Sequence, residues 1–438
     1  MAARLSAWLE RWGPVLPLLL AEAVVALGFG AILPILPLYY TKHGVDLPTL
    51  GVVVAAWPAA RLVGEPVLGR VADRASRKAM MVAALVVSGV AVVLPLALVG
   101  PVAFVALRAL AGLAGAAYDP AARGYLTDAN PPERHGETFG LYSAAQMGGF
   151  MLGPAVGGLA ASVTGEATVV FWVCGAAYAV SAVLVALRVA DRPRLAAHGQ
   201  AEAVVEPSAE AARAATGLAS PGGSGPSGSA VSTHAPRLLN RLLVVALVLN
   251  AGAFLAGGTY EVIWSVYMTS LGASIGLIGV SFVTFSLPVL VLSPLIGRFV
   301  DREGGYLTMV VGGAGVAACG LLYPLVPSPW WMVALGLVEG TAAAMSWPSL
   351  YMLVARAAPA GRSSTAQGLF GAAGTTGTIA ASMVAGWLAA VDLRLPFIGM
   401  GLATLLLLAA GAAIGGERLW DALQPHPGVE ARAAGQPT

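Results

Sequence analysis

Charge is scarce in this sequence: only 11% of its 438 residues are Asp, Glu, Lys or Arg, 58% are hydrophobic, and the mean hydropathy is +0.79. Soluble domains usually carry about a quarter charged residues, so the composition excludes a soluble enzyme and indicates a chain solvated by lipid. Cysteine is scarce as well. Cys174 and Cys319 each stand alone in an apolar stretch, without a Cys or His at ligand spacing. We therefore expect no disulfide framework, metal site or iron–sulfur cluster.

Several sequence motifs of enzymes are also missing. The phosphate-binding pattern Gly-x-x-x-x-Gly-Lys-Ser/Thr does not occur, which argues against direct ATP hydrolysis. Neither His-Glu-x-x-His nor Gly-x-Ser-x-Gly occurs, so no membrane hydrolase is indicated. The formal net charge of +2 is too small to indicate nucleic-acid binding. The sequence predicts a membrane protein that is not an enzyme and needs no cofactor.

Long apolar runs are abundant. A membrane-spanning helix needs about 20 mostly apolar residues, and twelve segments meet this requirement, which predicts an all-α membrane protein. Span 1 contains Ala21-Glu22-Ala23, which is similar to a signal-peptidase site, but its apolar run continues to Tyr40, too far for a signal peptide. Spans 1 to 12 are predicted at about 14–40, 48–69, 79–99, 101–122, 138–163, 167–187, 242–268, 275–297, 306–326, 330–355, 366–391 and 396–415.

The basic residues lie in alternate connections between the spans. If both termini lie on one side of the membrane, that side holds 20 of the 24 Lys and Arg residues. Only Lys42 and Arg394 fall in the loops of the other side. The positive-inside rule assigns the basic side to the cytoplasm, and the excess of Arg over Lys, with abundant Ala and Gly, is typical of a GC-rich prokaryote. We predict a multi-pass protein of a prokaryotic cytoplasmic membrane with both termini cytoplasmic.

An internal repeat divides the chain. An offset of 228 residues aligns the two halves over most of their length without a gap, and the run Gly-Arg-x-x-Asp-Arg that begins at Gly69 recurs at Gly297. Two six-span halves in parallel repeat are typical of secondary transporters, with the substrate site between the halves. The predicted domains are an N-terminal six-helix bundle over 1–188, a flexible Gly, Ser, Pro and Ala-rich cytoplasmic linker over 189–240, a C-terminal six-helix bundle over 241–415 and a cytoplasmic tail over 416–438.

The connection between spans 2 and 3 resembles a signature of the major facilitator superfamily, except that Ser76 stands where the family has Gly. The second copy, between spans 8 and 9, has that Gly but lacks the trailing basic pair. The resemblance implies that Asp73, with Arg77, contacts the start of span 11 and helps to close the cytoplasmic side. The alternative is a pair of ordinary basic loops. The motif residues are Gly69, Asp73, Arg74, Arg77 and Lys78, with Gly297, Asp301 and Arg302 in the second copy.

Span 5 contains a second motif, which resembles the antiporter signature of the drug:proton exporters in this family. Glycines four residues apart line one helix face and allow a neighbouring helix to approach, while Pro154 permits a bend. In the repeat copy in span 11, Ser382 replaces this proline. The alternative is generic tight packing in a glycine-rich protein. The motif residues are Gly149, Gly153, Pro154, Gly157 and Gly158.

Seven ionisable residues fall within the predicted spans, and each is a candidate functional residue because charge is costly in hydrocarbon. The span 4 sequence around Arg108 resembles a family motif, with Ala111 where Gln is common, which implies a proton-coupling role for Arg108. Spans 1 and 7 typically line the cavity in this family, which favours their carboxyls as proton or substrate sites. Arg61 and Glu65 are spaced i, i+4 and could instead form a structural pair. The seven are Glu22, Arg61, Glu65, Arg108, Asp119, Glu261 and Glu339.

The function that these observations favour is proton-coupled efflux, or antiport, of small lipophilic or cationic compounds by alternating access. A carboxyl that binds either a proton or a substrate makes the two compete, and acids outnumber bases within the spans. The alternatives are a major facilitator carrier for a metabolite such as a sugar or organic acid, and a non-transporting membrane receptor. The expected partners are a small-molecule substrate, protons and the lipid bilayer, with the protein as a monomer.

Overall fold

The computed structural model describes residues 12–13, 15–131, 134–191, 239–359 and 362–424. The regular secondary structure within these residues is helical, and they contain no β-strand. Most of the predicted linker, residues 192–238, and the last part of the predicted tail, residues 425–438, lie outside the described residues.

Each predicted span corresponds to a helix or to a pair of helices. Among the described residues, ten helices are long and apolar enough to cross a membrane, or eleven if the bent pair of span 1 counts as one. Span 10, the remaining one, is a helix of 29 residues. The predicted all-α membrane fold is therefore confirmed. The helices are Leu16–Ile32 with Leu36–Lys42 (span 1), Leu47–Ala72, Arg77–Val93, Pro101–Ala129, His135–Thr164, Val169–Arg188, Arg241–Ala253 with Leu255–Ser270 (span 7), Ile275–Glu303, Tyr306–Leu322, Pro329–Ala357, Ser363–Val391 and Leu395–Gly415.

Local sequence explains where several spans begin and where span 1 bends. Asp46 accepts a hydrogen bond from the backbone N–H three residues on and caps span 2, and its repeat mate Ser274 caps span 8 in the same way. Ser76 likewise caps span 3, which accounts for a Ser at a position where the family has Gly. The two helices of span 1 meet at 42°, across a break that contains Pro34, which has no N–H to donate.

The two halves, spans 1–6 (the N-half) and spans 7–12 (the C-half), repeat the same close helix contacts. A Cβ added to Gly112 in span 4 would collide with the Trp57 carbonyl in span 2, and one added to Gly340 in span 10 would collide with the Phe285 carbonyl in span 8. Only glycine lets these helix backbones touch. Gly340 and Phe285 are the repeat mates of Gly112 and Trp57 at the offset of 228. The repeat in the sequence is therefore also a repeat in packing.

The halves meet through spans 2 and 11 and through spans 5 and 8. A Cβ added to Gly51 in span 2 would lie 2.5 Å from the Ser382 carbonyl oxygen in span 11. Its repeat mate, Gly279 in span 8, stands in the same relation to the Pro154 carbonyl oxygen in span 5, also at 2.5 Å. These contacts are related by the pseudo-twofold symmetry. They lie toward the ends of the helices opposite the linker, which we call the distal side, and the other end is the linker side.

On the linker side the same four spans diverge. Gly69, Gly297, Gly140 and Gly368 have no neighbouring atom within 4 Å of the position that a Cβ would occupy. Each lies 18 residues, or five helical turns, from a glycine of the same span that contacts the other half, so both glycines share one helix face. Within the described residues, the halves are therefore packed together on the distal side and separated on the linker side.

Candidate functional site: a cavity between the two halves

A cavity of about 580 Å³ lies between the halves, and its wall is predominantly apolar and aromatic. Spans 7 to 12 supply most of the lining. The described residues that line the cavity include two carboxyl side chains, Glu261 and Glu339, and no Lys or Arg. Such a cavity suits a solute with a large apolar surface and few polar groups. The N-half contributes Phe29, Leu33, Trp57, Met147 and Phe150.

Glu339 lies in the C-half wall, in the middle of span 10. Its side chain is 1% exposed. The Tyr260 hydroxyl donates to one carboxyl oxygen at 2.6 Å and the Tyr323 hydroxyl donates to the other at 2.7 Å. The two phenol rings are 6.0 Å apart, and Trp264 packs against both. Within the described residues Glu339 has no ion pair, so it is a buried acid held by two neutral donors.

Glu261 in span 7 forms an ion pair with Arg108 in span 4, and this pair joins the two halves. Glu261 lines the cavity, whereas Arg108 lies behind the wall and is 6% exposed. The Arg108 guanidinium also stands 6.0 Å from the centre of the Trp57 ring, within range of a cation–π contact. Both residues lie nearer the distal than the linker-side ends of their spans, so the ion pair bridges the halves on the side where they are packed together.

Arg61, Glu65 and Asp119 form one cluster inside the N-half. Arg61 pairs with Glu65 at 2.6 Å along span 2, as the i, i+4 spacing suggests, and with Asp119 of span 4 at 2.5 Å. Its guanidinium lies 4.9 Å from the Trp57 ring centre. Asp119 is thus paired, and nothing in the sequence indicated this partner in another span. The cavity described above is not lined by Arg61, Glu65 or Asp119.

Glu22 is buried within the N-half and does not line the cavity. The Gln146 side-chain amide of span 5 donates to one of its carboxyl oxygens at 2.7 Å. The hydroxyls of Tyr118 and Tyr142 adjoin the same carboxyl. The structure therefore separates Glu22 from Glu261 and Glu339, with which the sequence had grouped it as a candidate proton or substrate group.

The motif between spans 2 and 3 is open to solvent. Asp73 is exposed and has no ion pair among the described residues, and Arg74 is exposed beside it. Arg77 instead pairs with Asp128 at the end of span 4. The Asp301 and Arg302 side chains of the second copy are also exposed. Among the described residues, Asp73 makes no hydrogen bond or ion pair with span 11 of the kind that the family resemblance implies, which is consistent with the separation of the halves on the linker side.

The span 5 motif packs against two neighbours at once. Cβ atoms added to Gly149, Gly153 and Gly157 would collide with span 1, at carbonyl or backbone atoms spaced one helical turn apart. Pro154 contacts Gly279 of span 8, and a Cβ added to Gly158 would lie 3.4 Å from the Gly276 Cα at the start of that span. The motif thus holds span 5 close to span 1 within the N-half and close to span 8 across the interface between the halves.

Two six-span halves that enclose a central cavity, packed together on one side of the membrane and apart on the other, define a membrane transporter. The family model of the Major Facilitator Superfamily matches residues 18–260 and 246–418 of the chain. The protein belongs to this family. Solved structures agree with the fold: a bacterial homologue of the human lysosomal transporter Spinster, in an inward-facing and occupied conformation, has a TM-score of 0.71 at 14% identity, with 93% of this chain and 96% of that chain covered.

Other solved structures and curated relatives differ in what they are named for. The nucleoside transporter NupG has a TM-score of 0.67 at 14% identity, covering 92% of this chain and 98% of its own. The quinolone resistance protein NorA of Staphylococcus aureus is 28% identical over 141 residues, which are 32% of this chain and 36% of NorA. The staphyloferrin B transporter of Staphylococcus aureus is 28% identical over 151 residues, 33% and 36% of the two chains. The chain matches about a third of the length of these curated relatives.

Sequence reasoning missed four residues of these polar clusters as partners. Tyr260, Tyr323, Gln146 and Asp128 are not among the candidate residues that the sequence indicated. For Gln146 a signal was present, because it lies three and seven residues before Gly149 and Gly153 and so shares the face that packs on span 1. The tyrosines that bind Glu339 come from different helices, and no spacing in the sequence connects them to it.

Proposed function

We propose that this transporter performs proton-coupled efflux, by antiport, of small lipophilic or cationic compounds. The observation that supports the proposal best is the cavity wall, which combines aromatic surface from both halves with two carboxyl groups and no basic side chain among its described residues. An aromatic wall binds apolar and flat solutes, and a desolvated carboxylate attracts a cation. The same carboxylate can take up a proton in place of the cation.

Alternating access is supported by the packing of the halves. The distal contacts at Gly51 and Gly279 and the open linker-side glycines describe one of the two conformations that such a cycle requires. The four spans involved touch only through backbone and small side chains at these points, so the halves can separate there without breaking a network of polar bonds. If the linker side is cytoplasmic, this conformation receives substrate from the cytoplasm.

Coupling between proton and substrate is supported by the positions of Glu261 and Glu339. Glu261 faces the cavity and also holds Arg108 across the halves. A proton or a cationic substrate that binds Glu261 would therefore compete with Arg108 and weaken a bond that keeps the distal side closed. Glu339 accepts only neutral donors from Tyr260 and Tyr323, so it can exchange a proton for a cation without losing an internal partner of opposite charge.

Glu22 remains a candidate for carrying a proton, in a different capacity. Because it is buried between spans 1 and 5 and outside the cavity wall, it would act on proton movement within the N-half and not through contact with substrate. The same applies to four other candidates, which also lie outside the cavity wall and would act without touching substrate. They are Arg61, Glu65, Arg108 and Asp119. This ordering makes Glu339 and Glu261 the first residues to test.

The experiment is transport into proteoliposomes that contain the purified full-length chain under an imposed pH gradient. The panel contains fluorescent lipophilic cations together with neutral and anionic dyes of similar size. We expect gradient-driven transport of the cations, which a protonophore abolishes. Removing the Glu339 charge as Glu339→Gln should lower cation flux at least about tenfold, because a hydrogen bond or pair to a charged group contributes roughly 1.5–3 kcal/mol. Flux that is unaffected by the pH gradient would refute the coupling.

A matched control is Glu166→Gln, which removes an exposed carboxyl on the distal side. It should leave cation flux unchanged, since Glu166 touches neither the cavity nor the interface between the halves. If Glu166→Gln and Glu339→Gln reduce flux equally, the effect is one of net charge and not of the cavity.

A carrier for a specific metabolite is the second candidate. It is favoured by the staphyloferrin B transporter, which matches this chain at the same 28% identity as NorA, and by the nucleoside transporter among the similar structures. A carrier of this kind should bind one chemical class and show no competition among unrelated dyes. Mutual competition between structurally unrelated cations supports efflux of many compounds, and the absence of all flux would favour a receptor without transport.

The orientation in the membrane is part of the proposal. We infer that the linker side is cytoplasmic, with both termini on that side, because the segments that the sequence assigns to that side contain 20 of the 24 basic residues. A reporter domain that is active only in the cytoplasm should be active when fused to either terminus, and a reporter that is active only outside the cytoplasm should be inactive. The monomeric state is tested separately by the mass of the detergent-solubilised protein.

A further inference from the structure

In the N-half, an ion pair ties together two helix ends on the linker side. Arg77 begins span 3, and its guanidinium pairs with Asp128 near the end of span 4. The side chain crosses the surface of span 4 at Gly124, where an added Cβ would lie 2.7 Å from the Arg77 Cζ atom. The absence of a side chain at Gly124 makes room for the arginine.

The C-half cannot form this ion pair. At the offset of 228, Arg77 corresponds to Gly305, Gly124 to Met352 and Asp128 to Arg356. Gly305 has no side chain, and the Met352 methyl group fills the space in front of it, 2.8 Å from where a Cβ would stand. All three residues of the N-half arrangement are therefore different in the C-half. The start of span 9 and the end of span 10 nevertheless correspond to the start of span 3 and the end of span 4.

The C-terminal segment, residues 416–424, lies where the ion pair would be. The Gly305 N–H donates to the Leu423 carbonyl at 2.7 Å. The Arg356 guanidinium donates through Nη1 to the carbonyl oxygens of Ala422, at 2.9 Å, and Gln424, at 2.5 Å. The segment thus receives one bond from the start of span 9 and two from the end of span 10, the same two elements that Arg77 and Asp128 join in the N-half.

Apolar packing fixes the C-terminal segment in this position. Leu419 and Leu423 are each 1% exposed and belong to the buried cluster formed by the linker-side parts of spans 7, 9, 10 and 11. The Trp420 ring packs on Tyr306, the first residue of span 9, with 4.9 Å between ring centres. These residues follow Gly416, whose φ of +55° turns the chain sharply after span 12.

We propose that the C-terminal segment, held by Gly305 and Arg356, is a positioning element of the transport cycle that replaces in the C-half the Arg77–Asp128 ion pair of the N-half. It holds the connection between spans 8 and 9, which directly follows Asp301 and Arg302 in the last turn of span 8, in place against span 10. Closure of the linker side requires these helix ends to move as one unit. The inference rests on the proposed alternating access, and it makes Arg356 and residues 416–424 part of the machinery for closure.

The experiment compares three variants of the full-length chain. Arg356→Gln removes the charged donor, and Arg356→Asp additionally places a carboxylate beside the carbonyl groups. The third variant, Gly305→Arg with Met352→Gly and Arg356→Asp, transfers the N-half arrangement into the C-half. A chain that ends at Gly428 is the matched control, because it keeps every contact described above and leaves the Gln424 carbonyl in a peptide bond.

Thermal stability is measured on each variant, together with two further quantities. The first is flux of a dye that the wild-type protein transports. The second is the distance between spin labels at Gly140→Cys and Gly368→Cys, with both native cysteines replaced by alanine, and it needs no substrate. These two glycines are repeat mates on the linker side with open space around them. If the wild-type protein transports nothing, the proposed function has failed, but the label distances still test the positioning role.

We expect Arg356→Asp to lower flux about tenfold and to reduce the population with a short label distance, with a smaller effect for Arg356→Gln. The transfer variant should recover most of the flux and the short-distance population, and the chain that ends at Gly428 should match the wild type. The proposal is overturned if Arg356→Asp leaves the distances and the flux unchanged. It is also overturned if the transfer variant restores thermal stability but neither flux nor the short distance, because the segment would then only stabilise the fold.

Discussion

The packing of the halves on the distal side leads to a prediction with a direction and a size. In Gly51→Ala, the new Cβ would lie 2.5 Å from the Ser382 carbonyl oxygen, whereas ordinary contact begins at 3.4 Å. Spans 2 and 11 must therefore move apart by about 0.9 Å at this point, or the distal side must open. The neighbouring atom is backbone, so it cannot rotate away as a flexible side chain would.

Overpacking of this kind costs roughly 1–3 kcal/mol. The strain exists only while the distal side is closed, so the substitution should shift the equilibrium toward the distal-open conformation by about 5- to 150-fold. Gly279→Ala makes the symmetric change against the Pro154 carbonyl oxygen and should act in the same direction. Since the two contacts are far apart and share no residue, the effects of the two substitutions should add.

The assay is the distance between spin labels at Val102→Cys and Trp330→Cys, repeat mates that are 83% and 66% exposed at the distal starts of spans 4 and 10. We expect a larger population at long distance in Gly51→Ala than in the wild type. Gly371→Ala in span 11 is the control, because a Cβ there meets no atom within 4 Å. An unchanged distance distribution in Gly51→Ala, or an equal shift in the control, would refute the reasoning.

Three further predictions concern the linker-side motif, the linker and proton coupling. Asp73→Asn should strongly lower transport without reducing the amount of inserted protein, because this exposed residue acts on closure and not on the core; normal flux in a well-expressed variant would contradict this. Deletion of residues 200–230 should leave flux largely unchanged, since about 20 flexible residues suffice to join two bundles; loss of flux at normal protein levels would show that the linker has another role. If Glu22 carries the coupling proton, wild-type affinity for a cation should vary between about pH 5.5 and 8.5 and Glu22→Gln should remove that variation; an identical pH profile in both proteins would leave Glu339 or Glu261 as the coupling carboxyl.

The sequence by itself determined the membrane class, the number of spans and the repeat. Bilayer thickness fixes the length of an apolar helix, so spans can be found by counting. The repeat offset of 228 can also be found in the sequence, because helices that touch at their backbones need glycine at equivalent positions in both halves. Gly112 and Gly340 occupy such positions. The i, i+4 pairing of Arg61 with Glu65 was also predictable, since it depends only on helix geometry.

Only the tertiary structure decided which of the seven ionisable residues face the cavity and which act on each other. The sequence named Glu22, Glu261 and Glu339 as candidates and favoured the carboxyls of spans 1 and 7, because depth along a span can be counted but the rotation of a helix against its neighbours cannot. Packing separates Glu22 from the other two. The ion pair between Arg108 and Glu261 joins residues 153 positions apart, and the attachment of residues 416–424 to Arg356 depends on a turn after span 12. Such contacts are set by how whole helices pack, which no local pattern in the sequence encodes.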